Sequence, residues 1–87
     1  MRYRRQIAPP QFQDILNKVG DNIKSARRRR KLTTVELASK AGIDRTTLYY
    51  IEKGSSNVSM GAYFNVLVVL GLQESFLKLG EEHHKHL

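Results

Sequence analysis

The chain has 87 residues, and its 15 lysines and arginines against 8 acidic side chains give a formal charge of +7 and an isoelectric point near 10.1. A chain of this length is expected to form one domain with one modest core, which leaves no room for a large enzyme pocket, and its charge is that of a polyanion binder. The absence of cysteine excludes a disulfide framework and a thiolate zinc site and fits a reducing cytoplasm.

The charge is uneven. Residues 1–53 carry 13 basic and 5 acidic side chains, whereas residues 54–87 carry 2 and 3, so the basic surface belongs to the first two thirds. Nucleic acid is therefore the leading partner class. Met1-Arg-Tyr-Arg-Arg leads into no long apolar run, and the longest such run, Val66 to Leu70, is far short of the roughly 20 residues that span a bilayer. Neither a secretory signal nor a membrane segment is expected.

In chain order, residues 1–10 read as a basic, flexible arm ending at Pro9-Pro10, and a folded domain follows over residues 11–80. From Phe12, apolar residues at Phe12, Ile15, Leu16, Val19, Ile23 and Ala26 recur at spacings of three and four, so one face of a long first helix should be buried. Gly20 interrupts that pattern and predicts a bend or a later start. Thr33-Thr34-Val35-Glu36 is a capping box that opens a second helix, with Leu37, Ala38 and Ala41 inward and Gly42 as its stop. Asp44 caps a third helix over residues 44–53, closed by Gly54.

After the polar loop Gly54-Ser55-Ser56-Asn57, Ser59 caps a fourth helix, and Val58 is placed to pack on Tyr63 as a hydrophobic staple. The run Val66-Leu67-Val68-Val69-Leu70 has strand propensity, but the cap before it and Gly71 after it decide for helix. A short fifth helix is expected over residues 73–79, before a polar, His-rich tail at 81–87. The expectation is an all-α domain of five helices.

Two short helices joined by a three- or four-residue turn containing glycine have the geometry of a helix-turn-helix, whose second member lies in the DNA major groove. Ala38 is small enough for close approach, Gly42 permits the turn, and Leu48 and Ile51 face the core, with Leu37 and Ile43 completing the contact. At about 100° per residue, the face opposite Leu48 and Ile51 is centred on Thr46 and Lys53, with Tyr49 and Tyr50 flanking it.

The stretch from Leu32 to Gly54, "LTTVELASKAGIDRTTLYYIEKG", together with the preceding "VGDNIKSARRRRK" and the following "VSMGAYFNVLVVLGL", resembles the Cro/C1-type (XRE) helix-turn-helix regulators. That resemblance implies a lambda-repressor-like DNA-binding fold, double-stranded DNA as partner, no cofactor and a cytoplasmic location. The tail from Asn57, "NVSMGAYFNVLVVLGLQESFLKLGEE", is similar to antitoxin-type members encoded beside Hip-type kinase toxins. Those members imply a homodimer, a palindromic operator and a toxin partner. Carried onto matching positions, the family's base readers fall on Arg45, Thr46, Tyr49 and Tyr50, and its phosphate contacts on Thr34, Lys53 and Ser56. Arg27 and Glu52 match a structural ion pair between the first helix and the recognition helix.

Each functional reading has a plainer counterpart. Arg45 reads guanine or contacts phosphate or Glu52; Thr46 touches a base or is simply solvated. Tyr49 and Tyr50 depart from the Gln, Ser or Arg more usual at those positions. Ala26-Arg-Arg-Arg-Arg-Lys31 cannot aim five charges one way on a helix, so Arg28 to Lys31 read as a solvated basic face. Arg2, Arg4 and Arg5 form either a minor-groove arm or a basic tail. His83, His84 and His86 have a spacing that could hold a metal weakly, though no Cys or carboxylate geometry supports a site. No nucleophile, paired carboxylate or phosphate loop has a partner, so no catalysis is expected. The competing readings are a protein-interaction module with DNA binding secondary, resting on the apolar segment 60–79, and a sequence-indifferent nucleoid or RNA binder.

Overall fold

The computed structural model describes residues 10–74 together with Lys78. Among them are four helices and no strand: α1 (Pro10–Arg29), α2 (Thr34–Ala41), α3 (Arg45–Glu52) and α4 (Met60–Val69). Gln73 and Glu74 take helical backbone, but most of the fifth helix expected over 73–79 lies outside the described residues, as do the His-rich tail and all of the arm expected over 1–10 except Pro10, which opens α1.

Side-chain caps open three of these helices. Thr33 Oγ1 accepts from the Glu36 amide at 3.0 Å while the Glu36 carboxylate accepts from the Thr33 amide at 2.8 Å. Asp44 accepts from the Thr47 amide at 2.7 Å and Ser59 from the Ala62 amide at 3.1 Å. Such caps satisfy amides that the first helical turn leaves without partners, each contributing about 1 kcal/mol.

All four helices close in one way. One or two residues past each end the chain takes a positive φ, at Lys31, Gly42, Gly54 and Gly71, and the next residue's amide donates five residues back, as from Ile43 to the Ala38 carbonyl at 3.0 Å. This is the Schellman closure, and Leu32, Ile43 and Leu72 at the following position pack against the core. Lys31 is the exception in residue type, because a side chain in this left-handed region costs roughly 1–2 kcal/mol.

Ile23, Ala26, Leu37, Ala38, Ala41, Leu48, Ile51, Tyr63, Val66 and Leu70 form the core, with Val19, Val58, Ala62 and Leu67 packed around it. Fully burying one such aliphatic side chain contributes about 1.5–3 kcal/mol. α2 lies between α3 and α4, and α1 packs on α3. Within the valine-rich run, Val66 and Leu70 are fully buried whereas Val68 is 44% exposed. A strand would place all three on one face; the helical period separates them.

α1 starts ahead of Gly20 and runs through it without a break. The absent side chain of Gly20 has a packing cause instead. A Cβ there would sit 2.6 Å from the Glu52 carbonyl oxygen, and one on Gly54 would sit 2.6 Å from the Leu16 carbonyl oxygen. The two glycines thus bring the α1 backbone directly onto the end of α3. Gly20→Ala would gain up to about 1 kcal/mol of helix propensity but would force backbone apart at a cost of roughly 1–3 kcal/mol. A net loss of thermal stability is expected, and a calorimetric melting temperature equal to or above wild type would refute the close-packing explanation.

Candidate nucleic-acid interface

The turn between α2 and α3 depends on Gly42, whose φ of 73° ends α2 and sends the chain into the α3 cap at Asp44. α3 then divides cleanly. Leu48 and Ile51 are fully buried, while Arg45, Thr46, Tyr49 and Tyr50 are exposed. The apolar side therefore holds the helix on the core, and the hydrogen-bonding and aromatic side faces water.

Arg27 is the structural centre of the region. Its Nε donates to Glu52 Oε2 at 2.8 Å and its Nη2 to Glu52 Oε1 at 3.2 Å, a forked pair whose side chains are 11% and 10% exposed. Its Nη1 donates to the Leu32 carbonyl at 3.1 Å. One guanidinium thus joins α1, the segment leading into α2, and the last turn of α3. Gln13 adds a second tie, donating from Nε2 to the Gly54 carbonyl at 2.9 Å.

The rest of the basic run behaves differently. Arg28, Arg29, Arg30 and Lys31 are exposed, and Arg30 Nη1 folds back onto the Ala26 carbonyl at 3.1 Å. Since the Glu52 carboxylate is occupied by Arg27, the alternative pairing of Arg45 with Glu52 is not formed; among the described residues the Arg45 side chain makes no hydrogen bond or ion pair.

On the exposed face, the Tyr49 and Tyr50 rings meet edge to face, with centroids 5.3 Å apart and planes at 77°. Lys53 Nζ lies 5.4 Å from the Tyr49 ring centroid, within cation–π range. Thr46 and Tyr50 border a shallow cleft whose other rim includes Asn57 and Ser59. Thr34 lies in the first turn of α2, half-buried, and Ser56 is exposed in the loop after α3. Asn57, exposed beside α3, is a polar neighbour that periodicity does not single out, because a loop has none. The only cue in the chain is its place at the end of the polar Gly54-Ser55-Ser56-Asn57 segment.

That loop is held from behind. The Tyr63 hydroxyl donates to the Ser55 carbonyl at 2.7 Å, and burial pushes the Tyr63 phenol above its ordinary value. At the other end of α3, the Thr47 amide and hydroxyl bonded to Asp44 hold its carboxyl below the usual aspartate range. Among the described residues no cluster of His, Cys, Asp or Glu could hold a metal, and no helix is long and apolar enough to cross a membrane.

Two outcomes follow from this arrangement. Arg27→Ala would leave the Glu52 carboxylate buried without its partner, so a loss of about 3–5 kcal/mol in chemical unfolding is expected without any DNA present. An unchanged midpoint would remove the pair from its structural role. For Asp44, the folded group titrates below the unfolded one, so its stabilising effect is complete above about pH 4 and is lost as pH falls through the lower folded value. Asp44→Asn keeps a cap without the titration, and the gap between the two proteins' melting temperatures should therefore change below about pH 4 and stay constant from pH 5 to 7.

The helix-turn-helix family pattern matches residues 23–77, more than half of the chain. The immunity repressor protein of Bacillus phage phi105 is 44% identical over 64 residues, which cover 74% of this chain and 44% of that relative. The chain thus spans less than half the length of the curated relative it matches. With an exposed polar and aromatic face on α3, a glycine turn before it and this family match over the same residues, the chain belongs to the helix-turn-helix family of DNA-binding regulators, in its Cro/C1 form.

Proposed function

We propose that the protein is a transcriptional repressor that binds a palindromic operator as a homodimer, placing two α3 helices in major grooves about 34 Å apart and occluding a promoter. The observation that carries this reading is the division of α3, with Leu48 and Ile51 locked into the core and Arg45, Thr46, Tyr49 and Tyr50 left in water. The likeness to a phage immunity repressor supports repression as the regulatory outcome.

In this mechanism Arg45, at the first position of α3 and without an internal partner among the described residues, pairs with guanine O6 and N7, worth roughly 1–3 kcal/mol of discrimination. Thr46 reads an adjacent base, and Tyr49 and Tyr50 contact bases one turn later. Thr34, Lys53 and Ser56 fix the register on phosphates, while the exposed charges from Arg28 to Lys31 raise encounter rates through long-range attraction. The protein acts in the cytoplasm and needs no cofactor.

A second reading is an antitoxin that also captures a Hip-type kinase toxin. Met60 is 71% exposed and Val68 44%, which leaves apolar surface on α4 for a protein partner to cover. Co-purification with the product of a neighbouring kinase-like gene would support this, and its failure alongside intact operator binding would leave repression alone.

The operator reading is tested by Arg45→Ala combined with Thr46→Ala. Both side chains are exposed, so the fold should survive, while preference for an operator selected from random DNA over scrambled DNA should collapse in fluorescence anisotropy. A preserved preference would overturn the assignment of α3. Binding that falls steeply with salt on every sequence alike would instead mark a sequence-indifferent binder.

A further inference from the structure

Tyr49 and Tyr50 are ill suited to reading a base by hydrogen bonds. Each offers a single hydroxyl at the end of a large ring, with no forked geometry like that of arginine or an amide. The two residues are 56% and 48% exposed, and among the described residues neither hydroxyl makes a hydrogen bond. Their position nonetheless places them outward from a helix whose opposite side is fully buried.

Their geometry restrains both rings. The edge-to-face contact at 5.3 Å and 77° orients each ring against the other, and the Lys53 ammonium, 5.4 Å from the Tyr49 centroid, holds that ring further. Tyr50 extends the same surface to the cleft shared with Thr46. The result is a preformed apolar wedge on a face otherwise made of hydrogen-bonding side chains. In the major groove, the apolar feature that one base alone presents is the C5-methyl of thymine, beside its O4 acceptor.

We propose that Tyr49 and Tyr50 act as one thymine-methyl reader, so that sequence preference at the positions under the middle of α3 is set by C5-methyl groups rather than by hydrogen-bonding edges. This rests on the operator-binding reading above and specifies its chemistry. Covering a methyl with an aromatic ring removes apolar area from water on both partners, so binding should favour thymine over the same base without its methyl. Lys53 has a second role in this scheme: it orients Tyr49 while its charge remains available to phosphate.

The test begins with sequences selected from random duplex DNA by the wild-type chain. Each thymine of the selected site is then replaced singly by deoxyuridine, which deletes the methyl and keeps O4 and the base pairing. At one or two thymines per half-site, wild-type affinity in anisotropy titrations should fall about fourfold, the factor corresponding to about 0.8 kcal/mol per buried carbon group. The double variant Tyr49→Ala with Tyr50→Ala should bind thymine and deoxyuridine sites equally, and Tyr49→Phe with Tyr50→Phe should retain the wild-type penalty. Melting curves establish that both variants are folded, as the exposure of the two rings leads one to expect.

Equal wild-type binding to thymine and deoxyuridine sites would overturn the proposal, as would a penalty that survives in the double alanine variant. Loss of the penalty in the phenylalanine variant would overturn it too, because the hydroxyls would then be the readers. A selected site without thymine under α3 has the same consequence while leaving operator binding intact. A selection that enriches no sequence overturns operator reading itself, and this proposal with it.

Discussion

The fork between Arg27 and Glu52 is the interaction on which the rest of the structure depends. α3 has only eight residues, too few to be stable alone in water, and its orientation must come from outside itself. Leu48 and Ile51 supply adhesion, but a greasy contact is non-directional and would allow the helix to slide or roll. The forked pair at 2.8 and 3.2 Å fixes the C-terminal turn in angle as well as distance, and the third bond of Arg27, to the Leu32 carbonyl, sets the entry into α2 relative to the same guanidinium. Both helices of the turn motif are therefore referenced to one side chain on α1. Burying that charge is costly unless it is paired and hydrogen-bonded, and the carboxylate of Glu52 with three engaged N–H donors meets that need.

The backbone contact between α1 and α3 complements this pair. Gly20 lies against the Ile51 and Glu52 carbonyls and Gly54 against Leu16, so the residues flanking the Glu52 carboxylate are pressed onto α1 without intervening side chains. Close approach shortens the reach from Arg27 to Glu52 and keeps water from the pair. The same segment continues onto the exposed side, since Lys53 follows Glu52 directly and its ammonium lies over the Tyr49 ring. A rigid inner surface thus positions the outer one, residue by residue.

Charge is arranged by the same division. Of the five consecutive basic residues from Arg27 to Lys31, one is consumed by the fold and the others remain exposed. Helical rotation alone requires a split of this kind, and the buried carboxylate of Glu52 determines which arginine turns inward. In the proposed function the exposed remainder supplies a positive field that is indifferent to sequence, and base discrimination falls to the much smaller face of α3.

Features that depend on neighbours within about four residues were legible in the chain. The Thr33–Glu36 capping box, the Asp44 and Ser59 caps, the glycine stops at 42, 54 and 71, and the inward face of Leu48 and Ile51 all follow from helical period and local hydrogen bonding, and α2, α3 and α4 obey them. Gly20 was misread for the complementary reason: within α1 it is only a weak helix former, and its purpose lies with carbonyls more than thirty residues away in the chain. The Gln13 bond to Gly54 spans 41 residues and the choice of Arg27 as Glu52's partner spans 25; composition could supply only the family resemblance for the second and nothing for the first. For α2, α3 and α4 the sequence by itself determined where helices begin, end and turn their apolar sides, because those energies are settled over single turns; in α1 it did not, since Phe12 and Ile15 on the expected inner face are 56% and 57% exposed. Only the tertiary structure decided which charge is buried, which glycine is a contact and how the two tyrosines stand against Lys53, because each requires segments distant in sequence or side-chain angles that no local period specifies.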